Sequence, residues 1–159
     1  MYRQQLYKQM SIEDDIKSTI KLKEDQKTMI NLLYTSNWLK EKSMGFFKDS
    51  DLTSEQYNVL RILRGQKGNP ANLSTIQERM LNKMSNTTRL IDKLIKKELV
   101  TRQTCESNRR KIEIYITNKG LKLLADLDSV VDDNNKELTK NLNTSELETL
   151  NKLLDKLRK

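Results

Sequence analysis

The sequence predicts a mainly α-helical protein with one small β-hairpin, and three observations predict it. Apolar residues recur at helical spacing through most of the 159 residues. Two short runs, Leu99–Cys105 and Lys111–Thr117, carry instead the β-branched content of strands. The single proline, Pro70, and three of the four glycines, Gly65, Gly68 and Gly120, fall at the junctions between these segments.

Taken in order, the N-terminal stretch MYRQQLYKQMSIEDD lacks the apolar centre of a signal peptide. No run in the chain approaches the roughly 18 apolar residues of a membrane span. Ile12, Ile16 and Ile20 repeat at i, i+4, and Ile30, Leu33, Tyr34 and Trp38 extend the pattern to Phe46 and Phe47. This predicts a long first helix, broken near Lys21. In DLTSEQYNVLRILRG, Thr53 and Gln56 have the spacing of a capping box and Gly65 stands where a helix would end. LSTIQERML repeats the device with Ser74 and Gln77, predicting a short helix that ends near Leu81. NKMSNTTRLIDKLIKKEL then sets Met84, Thr87, Leu90, Ile91, Leu94 and Ile95 on one helical face.

The strand pair follows. Ile112, Ile114 and Ile116 alternate with Lys111, Glu113, Tyr115 and Thr117, the period of a half-buried strand. Leu99–Cys105 is its partner, the polar loop ESN closes the hairpin, and Arg109, Arg110 and Lys111 place three positive charges at its tip. Two amphipathic helices complete the chain, the last with Leu147, Leu150, Leu154 and Leu157 at i, i+3, i+7, i+10.

Composition narrows the function classes. The chain has no histidine, so general-base dyads, catalytic triads and most transition-metal sites lack their usual residue. The cysteine and carboxylate spacings offer no substitute. The expectation is a non-enzyme with no metal and no cofactor. One cysteine, Cys105, allows no internal disulfide and suits a reducing cytoplasm. Its place beside Arg102 and Arg109 admits a redox role, although lone strand cysteines are more often inert packing residues.

The net charge of +8 is unevenly spread. Between Ala71 and Lys111 ten Lys and Arg face four acids, whereas the rest of the chain holds 20 cations and 18 acids. One segment therefore carries the excess that a polyanionic partner requires.

Helix, short helix, turn, helix and basic hairpin, in this order, make a winged helix-turn-helix. At 100° per residue, Ser85, Arg89, Lys93 and Lys96 lie opposite the apolar face of the second helix of the pair, with Asn86 and Thr88 near its start. Arg and Asn there suit the G O6/N7 and A N6/N7 edges of the major groove, while the hairpin cations suit phosphates or a minor groove. A basic helix face alone is usually only a solvated face. Its coincidence with the wing and with the charge excess favours double-stranded DNA. The competing reading is a winged-helix interaction module that binds protein or RNA. A protein-docking face would expose apolar side chains where this one is polar and basic.

From about Ile30 to Lys159 the sequence resembles the MarR-type bacterial transcriptional regulators, most densely in LTSEQYNVLRIL, ERMLNKMSNTTRLIDKLIKKELVTR and NRRKIEIYITNKGLKLL. The resemblance implies a winged helix-turn-helix core flanked by N- and C-terminal dimerisation helices. It divides the chain into residues 1–50 for dimerisation, 51–120 for DNA binding and 121–159 for dimerisation, within one compact domain. It also implies a homodimer on a pseudo-palindromic operator, acting as a repressor released by a small effector. Ser85, Asn86, Thr88 and Arg89 fall on the family's recognition-helix contacts, and Arg109 and Arg110 on its wing arginines. Asn108 stands where the family usually has Asp, so the ion pair that orients a wing arginine is missing. Tyr34, Trp38, Phe46, Phe47 and Tyr57 are candidates to line a pocket for an aromatic effector, although such aromatics are more often plain core.

Overall fold

Among the described residues, six helices begin at a side-chain cap, which is why their starts are sharply placed. A computed structural model describes residues 11–43, 45–105 and 108–159. The chain divides into two compact units, one ending at Ser43 and one running from there to Lys159.

In the first unit, α1 (Ile12–Asp15) is closed by a capping box between Ser11 and Asp14. The first helix, expected to break near Lys21, is two helices, and the break spans residues 16–23. Lys17 adopts a left-handed φ of 53°, which ends α1, and α2 (Glu24–Ser43) starts seven residues later. Ile12 is buried but Ile20 is exposed, so the i, i+4 spacing of these isoleucines does not mark one helical face. Glu13 ties the connection back, accepting from the Leu22 amide at 2.9 Å and the Lys27 ammonium at 2.8 Å. Those two donors, Lys27 first, hold its carboxyl below the usual carboxylate range. α2 buries none of its residues completely, and Met29, Leu33, Tyr34, Trp38 and Leu39 are exposed.

The expected helix does not reach Phe46 and Phe47 either, because α2 stops at Ser43. Both phenylalanines belong to the second unit, ahead of a short 3-10 turn at Lys48–Ser50. There α3 (Ser54–Arg64) begins at the Thr53/Gln56 capping box and ends at Gly65, as predicted. α4 (Leu73–Arg79) begins two residues earlier than the sequence suggests, capped by Asn72 rather than Ser74. The reason is tertiary. Ala71 is held extended by a two-bond bridge to Ile114, its amide donating at 3.0 Å and its carbonyl accepting at 2.9 Å, so the chain is free to turn at Asn72. Asn72 Oδ1 accepts from the Thr75 amide at 2.8 Å and the Ser74 hydroxyl at 2.6 Å.

α5 (Thr87–Lys96) is capped by Asn86 and ends where Glu98 adopts φ 60°, with the Leu99 amide returning to the Leu94 carbonyl at 3.0 Å. β1 (Val100–Cys105) and β2 (Asn108–Ile116) pair antiparallel, from Val100 opposite Ile116 to Thr104 opposite Ile112. α6 (Asn118–Thr139), capped by Thr117, and α7 (Thr144–Leu157), with a capping box of Asn143 and Glu146, follow.

The core of this unit joins Leu60 and Leu63 of α3, Ile76 of α4, Ile91 and Leu94 of α5, Ile114 of β2 and Leu124 of α6. Each such side chain contributes about 1.5–3 kcal/mol by leaving water. Arg64 adds a two-pronged ion pair to Asp128 of α6, with three N–O distances of 2.8–3.0 Å. α7 buries none of its residues fully.

Candidate nucleic-acid interface

The short segment between α4 and α5 is rigidly built. The Leu81 amide donates to Asn58 Oδ1 of α3 at 3.0 Å, and Gln77 Nε2 donates to the Lys83 carbonyl at 2.7 Å. Gln77 Oε1 also accepts from the Thr87 hydroxyl, so this glutamine fastens α4 to the start of α5 instead of capping its own helix. Asn82 closes the turn, its side chain accepting from the Met84 amide at 3.0 Å and its carbonyl from the Ser85 amide at 3.2 Å. These bonds set α5 on α3 and α4, with Ile91 and Leu94 inward.

The opposite side of α5 is polar. Thr88, Arg89, Lys93 and Lys96 are exposed there, and among the described residues none of the three cations is in an ion pair. Asp92, the one acid on this helix, is engaged by Arg102 of β1 at 3.0 Å. A positive face is thereby left uncompensated, which is what a polyanion selects. Lys97, by contrast, is paired with Asp51 at 3.0 Å.

Two residues differ from the sequence expectation. Ser85 precedes α5 instead of lying on its outer face, and its hydroxyl oxygen is buried without a hydrogen-bond partner among the described residues. Met84 was expected on the apolar face and is 92% exposed. Helical spacing was extended one turn too far, because Asn86 is the cap and its predecessors are not helical. Asn86 is exposed, but its Oδ1 already accepts from the Arg89 amide at 3.0 Å, leaving its amino group outward.

The wing differs in detail as well. Register is regular as far as Thr104 opposite Ile112, and the next pair is Cys105 opposite Asn108. Residues 109–111 therefore form an extra stretch on β2 with no counterpart on β1, a bulge rather than a hairpin tip. Lys111 is exposed, while the side chains of Arg109 and Arg110 lie outside the described residues. Ile114 is buried and Ile112 and Ile116 pack against the core, so the predicted alternation holds. Cys105 is buried at the last pair of β1. Its thiol, and then the Tyr115 hydroxyl at 2.9 Å, hold the Glu113 carboxyl below the usual range.

The aromatic candidates belong to both units. Phe47 and Tyr57 stack in the core of the second unit with ring centroids 4.6 Å apart, and Phe46 packs against the same core. Burial of Tyr57 pushes its hydroxyl pKa up. Tyr34 and Trp38 are exposed residues of α2 in the first unit. Among the described residues no group of His, Cys, Asp and Glu could hold a metal ion, and no helix is long and apolar enough to cross a membrane.

A three-helix core whose last helix presents a basic face, followed by a two-stranded wing, defines a winged helix-turn-helix protein. Residues 52–112 match the model of the MarR family. A MarR transcription factor from Planctomyces limnophilus is 31% identical, covering 86% of this chain and 98% of that one, with a TM-score of 0.66. A mutant MarR from E. coli complexed with operator DNA is 24% identical over 87% of this chain and 99% of that one, TM-score 0.74. BpsR of Bordetella bronchiseptica, whose DNA binding is regulated by 6-hydroxynicotinic acid, is 20% identical over 81% and 99%, TM-score 0.68. The chain belongs to the MarR family of transcription regulators.

Proposed function

We propose that this regulator is a homodimeric repressor that binds a pseudo-palindromic stretch of double-stranded DNA and is released by a small aromatic effector. The reading assigns the protein binding and no catalysis. α5 enters the major groove of each half-site, with Thr88, Arg89 and Lys93 toward base edges and phosphates and the outward amino group of Asn86 at its start. The wing, through Arg109, Arg110 and Lys111, meets the neighbouring backbone or minor groove. Ser85, whose hydroxyl faces inward, supports the start of the helix in this arrangement.

The observation that carries the reading is the α5 face, where Arg89, Lys93 and Lys96 are exposed and, among the described residues, no acid pairs with them. Support for a dimer comes from α7, whose Leu150, Leu153 and Leu157 are exposed. Support for an effector comes from the likeness to BpsR, which responds to 6-hydroxynicotinic acid. The test is a mobility-shift titration of the purified protein on DNA from upstream of its own gene and on a scrambled duplex, with and without hydroxylated aromatic acids. Tighter binding to the upstream DNA, weakened by an aromatic acid, is expected. Equal affinity for both duplexes would overturn the sequence-specific reading.

A further inference from the structure

Two large apolar side chains stand in water at the turn that leads into α5. Leu81 is 83% exposed and Met84 92% exposed, the highest values among the exposed large apolar residues described. Neither has a packing role, so the fold itself gives no reason for apolar residues here. Nor is their exposure a loose loop. The backbone around Met84 is fastened by Asn82 Oδ1 on its own amide, by Gln77 Nε2 on the Lys83 carbonyl and by the Asn82 carbonyl on the Ser85 amide. The turn therefore holds the Met84 side chain outward, two residues before the cap of α5.

The charge around these residues decides what they meet. Arg79, Lys83 and Arg89, the cations nearest in sequence on either side, are all exposed, and the Lys83 ammonium folds onto the Glu78 carbonyl instead of pairing with an acid. An aliphatic protein partner has no use for such a rim. A polyanion whose interior edge also carries methyl groups fits both features, and the major groove of DNA displays the C5-methyl of thymine between its phosphate walls. We propose that Met84 contacts a thymine methyl in each half-site, so that the turn before α5 reads sequence alongside the helix. This rests on the DNA-binding reading above and adds to it a second, apolar determinant of specificity. Met suits the task because its unbranched thioether adjusts to an irregular apolar surface.

The test uses the full chain and the shortest duplex it protects in footprinting of the DNA upstream of its gene. Each thymine of a half-site is replaced in turn by deoxyuridine, which removes only the methyl. At one position per half-site the wild type should lose about four-fold in affinity, the factor that burial of one methyl group represents. Met84→Ala should bind the thymine duplex correspondingly more weakly and should no longer distinguish thymine from deoxyuridine at that position. Leu81→Ala, run beside it, should keep the discrimination. If the wild type binds the upstream duplex specifically but no deoxyuridine matters, or if Met84→Ala retains the same sensitivity, the inference is overturned while the DNA-binding reading stands. If the wild type shows no specific binding at all, it is that reading which falls.

Discussion

Gly120 shows how one residue settles the join between wing and α6. A methyl group built on it would stand 2.4 Å from the Leu99 carbonyl oxygen and 2.8 Å from Ile116 Cγ1. The carbonyl cannot move away, because it accepts from the Thr117 amide at 3.1 Å, and Thr117 in turn caps α6 through the Gly120 amide at 3.0 Å. Gly120→Ala should therefore destabilise the protein by about 3 kcal/mol or more, as overpacking against fixed atoms does. Gly45→Ala, which would meet nothing within 4 Å, should be nearly silent. Urea unfolding of both variants checks the contrast. Ser85 gives an opposite expectation. Its hydroxyl oxygen is buried without a partner among the described residues, and such a group costs about 1–3 kcal/mol of desolvation. Ser85→Ala should leave stability unchanged or raise it by up to about 1 kcal/mol. A clear loss in the same unfolding experiment would mean that this hydroxyl has a bond the structure does not contain.

Among the elements, α5 and the wing differ in what each is suited to recognise. Arg89 projects from a helix held rigidly on the α3–α4 pair, so a base edge met by it is met in a defined geometry. The stretch 109–111 falls at the register irregularity of the hairpin and carries three cations in a row, which suits phosphates more than bases. Base contacts each discriminate by about 1–3 kcal/mol, while each phosphate contact contributes close to one unit of salt slope. Arg89→Ala should thus weaken specific binding strongly, spare nonspecific binding and relax preference at one position per half-site. Arg110→Ala should weaken both kinds of binding by similar factors and flatten the salt dependence by about two units per dimer. Binding to specific and scrambled duplexes across a salt series separates them. Unchanged specificity in Arg89→Ala would remove α5 from its assigned role.

At the scale of the whole molecule the unfilled apolar surface is the informative feature. In the second unit the winged core closes on itself, yet Leu150 and Leu157 of α7 remain 42% and 57% exposed. A second copy of the chain is the partner proposed for them. Leu150→Glu with Leu157→Glu would bury unpaired charges at that symmetric contact, at roughly 3–5 kcal/mol each, while neither residue is fully buried within the protomer. Light scattering should show a dimer for the wild type and a monomer for the double variant, with circular dichroism unchanged. A wild type that is monomeric at micromolar concentration would end the dimer proposal.

The sequence by itself determined the kinds and order of the elements, because the signals for them are local. Thr53 with Gln56 and the alternating isoleucines of β2 each act within a few residues, and each appears in the structure where the spacing put it. The polar outer face of α5 was legible for the same reason. What only the tertiary structure decided depended on partners distant in the chain. Ala71 has no strand pattern of its own, yet its bridge to Ile114 makes Asn72 the cap of α4 and frees Gln77 to fasten α5. Asn86, by capping α5, removed Ser85 and Met84 from a helix that periodicity would have extended through them, turning one hydroxyl inward and one thioether out. Periodicity reports which residues share a face once a helix exists, but where the helix starts is settled by which backbone groups the rest of the fold has already satisfied.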